Sequence, residues 1–455
     1  KLNNVIFYDK KIGINLKVKE LKIISTWKSL LKFDPNFKSI QLDSPVLNIF
    51  KKEFSKREVI LIKTQSFSDQ NKISSFIKKF NKVSVNNGIV KFNYLNKLNV
   101  LESLELNLLN NIEFMKFKIS FNHVGYKSFI SIKGETKEFK KITYSINQLF
   151  ENKNEVFGSG EITLGPKETK FSGKIISERL NVFEISQLLS NLKILKKKNI
   201  YHAQLSSSKL MSDFDLIIDE VDLNKFVLNN LNLKILSLDN EILFKDIQAN
   251  FLKTLFKGDA LYKLDKKKLQ GKLSIFDFLV DKSFMGDTKL DLTDAYFDCD
   301  VVFTLDNKKK TKSLSEKFKS SGKCDSYNAM LVGVNVEEIS TRIDNIQTFQ
   351  DFFNLFDKRN LQGKTKIESI NFKFKIYDNL LKIEQLEAMQ NNVKIVSSGR
   401  YSLNSEKLNF SNDIFIKTNK FNNLPSFNIL VNGTIDDYKV NYNFDKIKSA
   451  ILSDG

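Results

Sequence analysis

Cysteine occurs only twice in this chain, at Cys299 and Cys324, proline four times and histidine twice. Two cysteines cannot build a dense disulfide framework, and the absence of a CxxC pair argues against a zinc or thiol-redox site. They are either one disulfide in an oxidising compartment or two thiols. Sparse proline and only 17 glycines exclude a low-complexity or linker-rich chain. His123 and His202 each stand without a neighbouring partner in sequence. No GxSxG, HExxH, P-loop or GxGxxG pattern occurs, and Gly158-Ser159-Gly160 lacks the rest of a phosphate loop. The acids Asp287, Asp291, Asp294, Asp298 and Asp300 lack EF-hand spacing and read as a wet strand face. The expectation is therefore a protein that is not an enzyme, with no catalytic residue, no metal and no cofactor. No run of about 18 apolar residues is present, so no membrane-spanning helix is expected within the chain. A first residue of Lys1 rather than Met reads as a trimmed chain, any leader or anchor lying before this numbering.

The chain has apolar material in plenty. Of 455 residues, 41% are hydrophobic and 40 are phenylalanine, enough for a large core. The formal charge is +19. Lysine is in excess together with Asn, Ile and Phe, residues that share AT-rich codons, and it spreads along the whole chain. The tracts Lys196–Lys198 and Lys308–Lys310 are short and read as solvated loops. Without basic and aromatic residues interleaved, the charge gives no reason to expect nucleic acid.

Period-two alternation dominates. It appears in Ile14, Leu16 and Val18; in Leu104, Leu106 and Leu108; and in Phe117, Ile119 and Phe121. It recurs in Phe214, Leu216 and Ile218, in Leu231, Leu233 and Ile235, in Phe372, Phe374 and Ile376, and in Val440, Tyr442 and Phe444. Strand side chains alternate between faces, so each segment presents one apolar and one wet face, as in antiparallel sheet. Asn87-Gly88, between Val83/Val85 and Val90/Phe92, reads as a two-residue hairpin turn. Gly160, Gly258, Gly271, Gly399 and Gly433 read as strand openers in a loosely repeated unit.

Helical spacing is rarer. Ile73, Phe76, Ile77 and Phe80 form one stripe behind Ser68-Asp69. Ile185, Leu188, Leu189 and Leu192 form another. Phe349, Phe352, Phe353 and Phe356 form a third, with Asp344 and Asn345 upstream as candidate caps. A last helix is expected from Lys446 to Leu452. These helices either fill gaps in a β core or act as caps over an apolar groove, for which Phe76, Phe80, Phe349, Phe352, Phe353 and Phe356 are the candidates.

One-sided strands fit β-sandwiches, a membrane barrel, or a curved sheet lining a groove. The interspersed helices and the polar ending Ser453-Asp454-Gly455 argue against the barrel. No linker separates sandwich-sized domains; only Leu305 to Ser321, rich in Lys and Ser, resembles a loop or boundary. It divides the chain tentatively into 1–304 and 305–455.

The C-terminal third is more specific. An alternating strand (Ile370 to Ile376) precedes Tyr377-Asp378-Asn379 and a strand from Leu380 to Leu386. Then follow Val393 to Leu403 with an internal Gly399-Arg400-Tyr401, Leu408 to Phe410, and Phe427-Asn-Ile-Leu-Val-Asn-Gly-Thr-Ile-Asp-Asp437. This order resembles the C-terminal region of the AsmA family, whose relatives include the bridge-like lipid transfer proteins. Val85 to Phe92, Asp213 to Val221 and Leu231 to Ile235 resemble its earlier regions. Asn379 stands where the family has glycine, and Tyr438 where it has proline.

The resemblance implies a mainly β fold: an elongated, curved antiparallel sheet forming a groove of U-shaped cross-section, with a few short amphipathic helices. It implies a periplasmic protein of the Gram-negative envelope, tethered to the inner membrane by an anchor outside this chain. Its groove would bind phospholipid and conduct it between inner and outer membrane. The expected partners are phospholipid, the membrane, and an outer-membrane or envelope protein. The groove candidates are Phe117, Ile119, Phe121, Phe214, Leu216, Ile218, Leu231, Leu233, Ile235, Phe372, Phe374 and Ile376. The alternative is a non-enzymatic periplasmic scaffold for outer-membrane assembly.

Overall fold

The computed structural model describes residues 1–9, 13–25, 37–49, 80–94, 97–111, 114–137, 141–165, 168–181, 184, 209–223, 226–238, 240–280, 291–306, 314–332, 335–348, 351, 354, 363–417, 424–434, 437–443, 445–446 and 449–450. The chain is mainly β, in long and mostly antiparallel sheet, with 25 strands among the described residues. It divides into two compact units, Lys1–Asp239 and Asn240–Gly455.

The first unit contains β1 (Leu2–Asp9), β2 (Ile14–Ser25), β3 (Phe37–Asp43), β4 (Val46–Ile49), β5 (Phe80–Tyr94), β6 (Lys97–Asn110), β7 (Met115–His123), β8 (Ser128–Lys137), β9 (Lys141–Phe150), β10 (Glu155–Leu164), β11 (Glu168–Asn181), β12 (Lys209–Asp222) and β13 (Val227–Leu238). Each strand lies beside the next in sequence, with β3 and β4 acting as one interrupted strand between β2 and β5. Two junctions run parallel: β3/β4 with β5, and β11 with β12. Parallel neighbours need a crossover of a dozen or more residues. The crossovers are 50–79 and 182–208, where the sequence places its first two amphipathic helices. Phe76, and the stripe from Ile185 to Leu192, lie outside the described residues. Glu184 is described and helical: Asn181 and Glu184 exchange bonds, Glu184 N–H to Asn181 Oδ1 at 2.9 Å and Asn181 N–H to Glu184 Oε2 at 2.8 Å. This capping box opens the connection.

Two expectations fail in β5. Phe80 is a strand residue, not a helical one. It is paired with Phe37 of β3, its ring stacked on Phe37 at 5.2 Å between centroids, and is 2% exposed. The pairing partner outweighs the helical spacing. Asn87-Gly88 is not a hairpin turn either, because β5 runs straight through it. Asn87 takes φ 50°, the register shifts on both sides of Gly88, and the pair forms a β-bulge. Opposite it, Ser44-Pro45 breaks β3 from β4: Ser44 N–H reaches Asn86 O at 2.9 Å and Ile89 N–H reaches Pro45 O at 2.7 Å. Proline brings no N–H of its own to the ladder, so the bulge and the break face each other.

The second unit contains β14 (Glu241–Phe251), β15 (Thr254–Lys263), β16 (Lys268–Val280), β17 (Asp291–Thr293), β18 (Ala295–Asp306), β19 (Phe318–Val332), β20 (Lys364–Tyr377), β21 (Leu380–Gln390), β22 (Val393–Ser402), β23 (Lys407–Ile416), β24 (Phe427–Thr434) and β25 (Tyr438–Asn443). All its described pairings are antiparallel, and β17 is a short companion of β19. The two-residue turn Asp378-Asn379 has φ 46° and 63°, the conformation that Asn and Asp tolerate in a primed hairpin. The lysine-rich stretch after Leu305 joins β18 to β19, which pair from Leu305↔Phe318 to Tyr296↔Tyr327.

One helix of length, α1 (Val336–Asp344), was not anticipated. Its signal is nevertheless in the sequence: Asn335 caps it, accepting from Glu338 N–H at 3.1 Å. Asp344 and Asn345 therefore end a helix rather than cap the next one. That role falls to Thr348, whose N–H donates to Asp351 Oδ2 at 2.8 Å while Asp351 N–H reaches Thr348 Oγ1 at 3.3 Å. Hydrogen bonds from the Thr348 side chain and from the Thr348 and Gln347 N–H groups hold the Asp351 carboxyl below its ordinary pKa. Phe349, Phe352, Phe353 and Phe356 lie outside the described residues. Of the last expected helix, Lys446, Ser449 and Ala450 are described and helical.

Candidate functional site

Directly opposed residues on neighbouring strands share a face. Following the registers across the first unit gives one unbroken apolar row: Leu2, Leu21, Leu42, Val85, Leu106, Ile119, Ile132, Ile146, Gly158, Ile175, Leu216 and Leu233. It crosses strands β1 to β13 with only β4 left out. Its neighbour, two residues along each strand, runs through Leu108, Phe117, Gly134, Tyr144, Gly160, Gly173, Phe214 and Ile235.

The second unit repeats the arrangement. One row runs Ile247, Gly258, Leu273, Val301, Gly322, Phe374, Ile383, Gly399, Phe410, Val431 and Val440. A second row, on the same face, includes Phe303, Ser320, Ile376, Leu381, Tyr401 and Leu408.

Most members of these rows are neither core nor open surface. Apart from buried Val85 and exposed Leu2, the twelve members of the first row are half-buried. Along β20 the side chains grade from buried Ile367 and Ile370 to half-buried Phe372, Phe374 and Ile376. The buried end is the core cluster of Ala295, Phe297, Cys299, Cys324, Ala329, Ile367, Ile370 and Ala388. In the first unit a packed cluster holds Phe150, Val156, Leu180, Ile218 and Val221. Each unit thus has an apolar face that is packed in one region of its strands and half-buried along much of the rest.

The sequence candidates meet on these faces. Phe214, Leu216 and Ile218 of β12 stand directly opposite Ile235, Leu233 and Leu231 of β13. Phe117, Ile119 and Phe121 face Gly134, Ile132 and Ile130 of β8. Phe372, Phe374 and Ile376 face Leu386, Ile383 and Leu381 of β21. Ile218 at 0% exposure, Ile235 at 3% and Phe214 at 8% belong to the packed part, whereas Ile119, Leu216, Leu233, Phe372, Phe374 and Ile376 are half-buried.

The glycines correct the sequence reading. Gly160, Gly258, Gly271 and Gly399 are interior to β10, β15, β16 and β22, and Gly433 is next to last in β24, so none opens its strand. Most instead leave room for a ring. Gly134 faces Phe117 and Tyr144, Gly160 faces Tyr144, Gly271 faces Phe303, Gly322 faces Phe374, and Gly399 faces Phe410. A Cβ on Gly399 would fall 2.4 Å from Phe410 Cδ1, so the ring lies where that side chain would be. This alternation of glycine and aromatic flattens the apolar face. Burial raises the Tyr144 pKa, and its hydroxyl lies 3.5 Å from Ser172 O.

Cys299 and Cys324 are opposed in register, form a disulfide, and lie on the apolar face between Ile275 and Phe372. Among the polar residues that interrupt that face are two bonded pairs: Gln148 Nε2 to Ser128 Oγ at 3.1 Å, and Ser397 Oγ to Asn412 Oδ1 at 2.6 Å. The other face is wet and charged, with Lys375–Glu384 at 2.7 Å, Lys394–Glu387 at 3.2 Å and Lys234–Asp213 at 3.3 Å. The lysine bonds hold the Glu384 and Glu387 carboxyls below their ordinary range. Asp298 and Asp300 of the acidic cluster accept from Asp277 N–H and Ser274 Oγ; Asp287 lies outside the described residues. Among the described residues no group of three His, Cys, Asp or Glu side chains is placed to hold a metal ion, and no helix is long and apolar enough to cross a membrane. His123 is buried at the end of β7; His202 lies outside the described residues.

No protein-family model, curated protein or solved structure matches this chain.

Proposed function

We propose that this chain is an AsmA-type envelope protein whose apolar sheet face holds the acyl chains of phospholipid and lets them move across the strands. The observation that supports this reading is the half-buried apolar row continuous across the strands of each unit. An exposed CH₂ costs about 0.8 kcal/mol in water. Acyl chains laid along such a row lose that cost at every strand they cross. With strands ~4.8 Å apart, a row of twelve extends roughly 50 Å. Contacts to Leu, Ile, Phe and Gly are non-directional, so a lipid advancing by one strand meets the same surface again. The wet face, rich in Lys and Asp, stays in water.

The Cys299–Cys324 disulfide supports an oxidising compartment, which agrees with a periplasmic body held at the inner membrane. In this reading the protein performs no covalent chemistry and needs no cofactor. Native mass spectrometry with lipid extraction, on protein purified in mild detergent, tests it. Retained phospholipid in stoichiometric amount supports the reading. Lipid-free protein that takes up no labelled phospholipid contradicts it and leaves a scaffold for outer-membrane assembly as the function of the same fold.

A further inference from the structure

We propose that the wet face of β22 to β25 carries an anion site that takes a phosphate group. The site lies on the side of the sheet opposite the apolar rows and does not rest on the phospholipid reading.

One row of this face runs Arg400, Asn409, Asn432 and Lys439 across four strands. Two short carboxamides sit between two long cationic side chains. The floor is therefore recessed and the cations form its walls. Ser402, Lys407 and Thr434 follow two residues along the same strands, and together these groups line a depression of about 760 Å³. Strands spaced ~4.8 Å apart put Arg400 and Lys439 roughly 14 Å apart at the backbone. Arginine and lysine side chains reaching inward from both sides can meet one tetrahedral anion over the two asparagines.

Some cations of the wet face are neutralised by a neighbouring carboxylate and others are not. Lys375 of β20 and Lys394, farther along β22, are closed on Glu384 and Glu387 of β21. Among the described residues, Arg400, Lys407 and Lys439 make no such ion pair. Asp437 also lines the depression, one carboxylate against three cations, and its backbone N–H is taken up by Thr434 Oγ1 at 3.2 Å. Arginine offers a planar fork of donors and lysine a point charge, the usual pair for phosphate oxygens. The hydroxyls and carboxamides supply further donors. The phosphate could come from a soluble ester or from lipid head groups at a membrane surface, and the two are separable.

The test compares the wild-type chain with Arg400→Gln/Lys439→Gln, and with Lys170→Gln/Lys263→Gln as a control of equal charge change elsewhere. Calorimetric titration with inorganic phosphate and glycerol 3-phosphate is one arm. Co-sedimentation with phosphatidylcholine vesicles, with and without phosphatidylglycerol, is the other. Saturable binding of the soluble phosphates, weakened roughly tenfold or more in the first variant and unchanged in the control, supports the site with a soluble ligand. Phosphatidylglycerol-dependent sedimentation lost only in the first variant, without soluble binding, supports the site with head groups as the source. Binding that falls equally in both variants, is unchanged in both, or is absent in both arms overturns it.

Discussion

The ring of Phe374 lies over Gly322, its cross-strand partner, so closely that a Cβ built on the glycine would fall 2.8 Å from Phe374 Cε1. The same Cβ would also meet Asp300 O at 2.7 Å, and backbone cannot swing away as a side chain can. Gly322→Ala should therefore destabilise the protein by ~1–3 kcal/mol, the cost of overpacking. Gly158 is the contrast, because its nearest neighbours would be 3.8 Å from a new Cβ. Gly158→Ala should be neutral or slightly stabilising. Urea unfolding of the two variants checks the pair; equal midpoints would show that the glycines do not serve ring packing.

Bulges form a second recurring device. Asn87, Asp246 and Asp277 all take φ near +50°, and each N–H is accepted by an acid on the neighbouring strand. The acceptors are Glu105 at 2.8 Å, Asp259 at 2.9 Å and Asp298 at 3.0 Å. Asp298→Ala should cost ~0.5–1.5 kcal/mol by orphaning the Asp277 N–H. Asp277→Gly should be tolerated, since glycine takes positive φ without strain, whereas Asp277→Val should not. Thermal melts of the three variants in that order check the assignment.

The disulfide ties β18 to β19 across a sequence separation of 25 residues. Cys299→Ala/Cys324→Ala should lower stability by ~2–4 kcal/mol, through the freedom regained by the unfolded chain. Unfolding of the native chain with and without reductant should show the same loss. No difference would place the stability of this region entirely in its packing.

His123 contributes a pH dependence just below neutrality. Burial holds its pKa below 6.5, so the unfolded chain binds the proton more readily than the folded one. Stability from this group is complete above about pH 6.5 and is lost as pH falls from there through the depressed folded value. His123→Gln should flatten the stability profile in that window. A profile that keeps its slope in the variant would assign the dependence to other groups.

Much of this arrangement is legible in the sequence, because period two is a direct record of face. Phe214, Leu216 and Ile218 announce a one-sided strand, and the structure sets them opposite another announced triplet, Leu231, Leu233 and Ile235. The Asp378-Asn379 turn is legible for the same local reason. Partnership is not local. Asn87-Gly88 carries the same signal in a hairpin and in a bulge, and only Ser44-Pro45, more than forty positions away, decides between them. Phe80 fits a helical stripe until Phe37 claims it. The glycines read as punctuation because the rings they accommodate belong to other strands. Helix α1 was legible through Asn335 and Glu338 and through Val336, Ile339 and Ile343 at i, i+3 and i+7, but its nine residues make only a short stripe.

The central claim, that the apolar face carries acyl chains, is tested most directly by photo-crosslinking from adjacent strand positions. A benzophenone side chain is placed at Leu216 or Phe374 on the apolar face, and at Asp215 or Lys375 on the wet face, in cells fed labelled phospholipid. The account predicts lipid adducts at Leu216 and Phe374 and none above background at Asp215 and Lys375. Equal labelling at all four positions, or none at any, would contradict it.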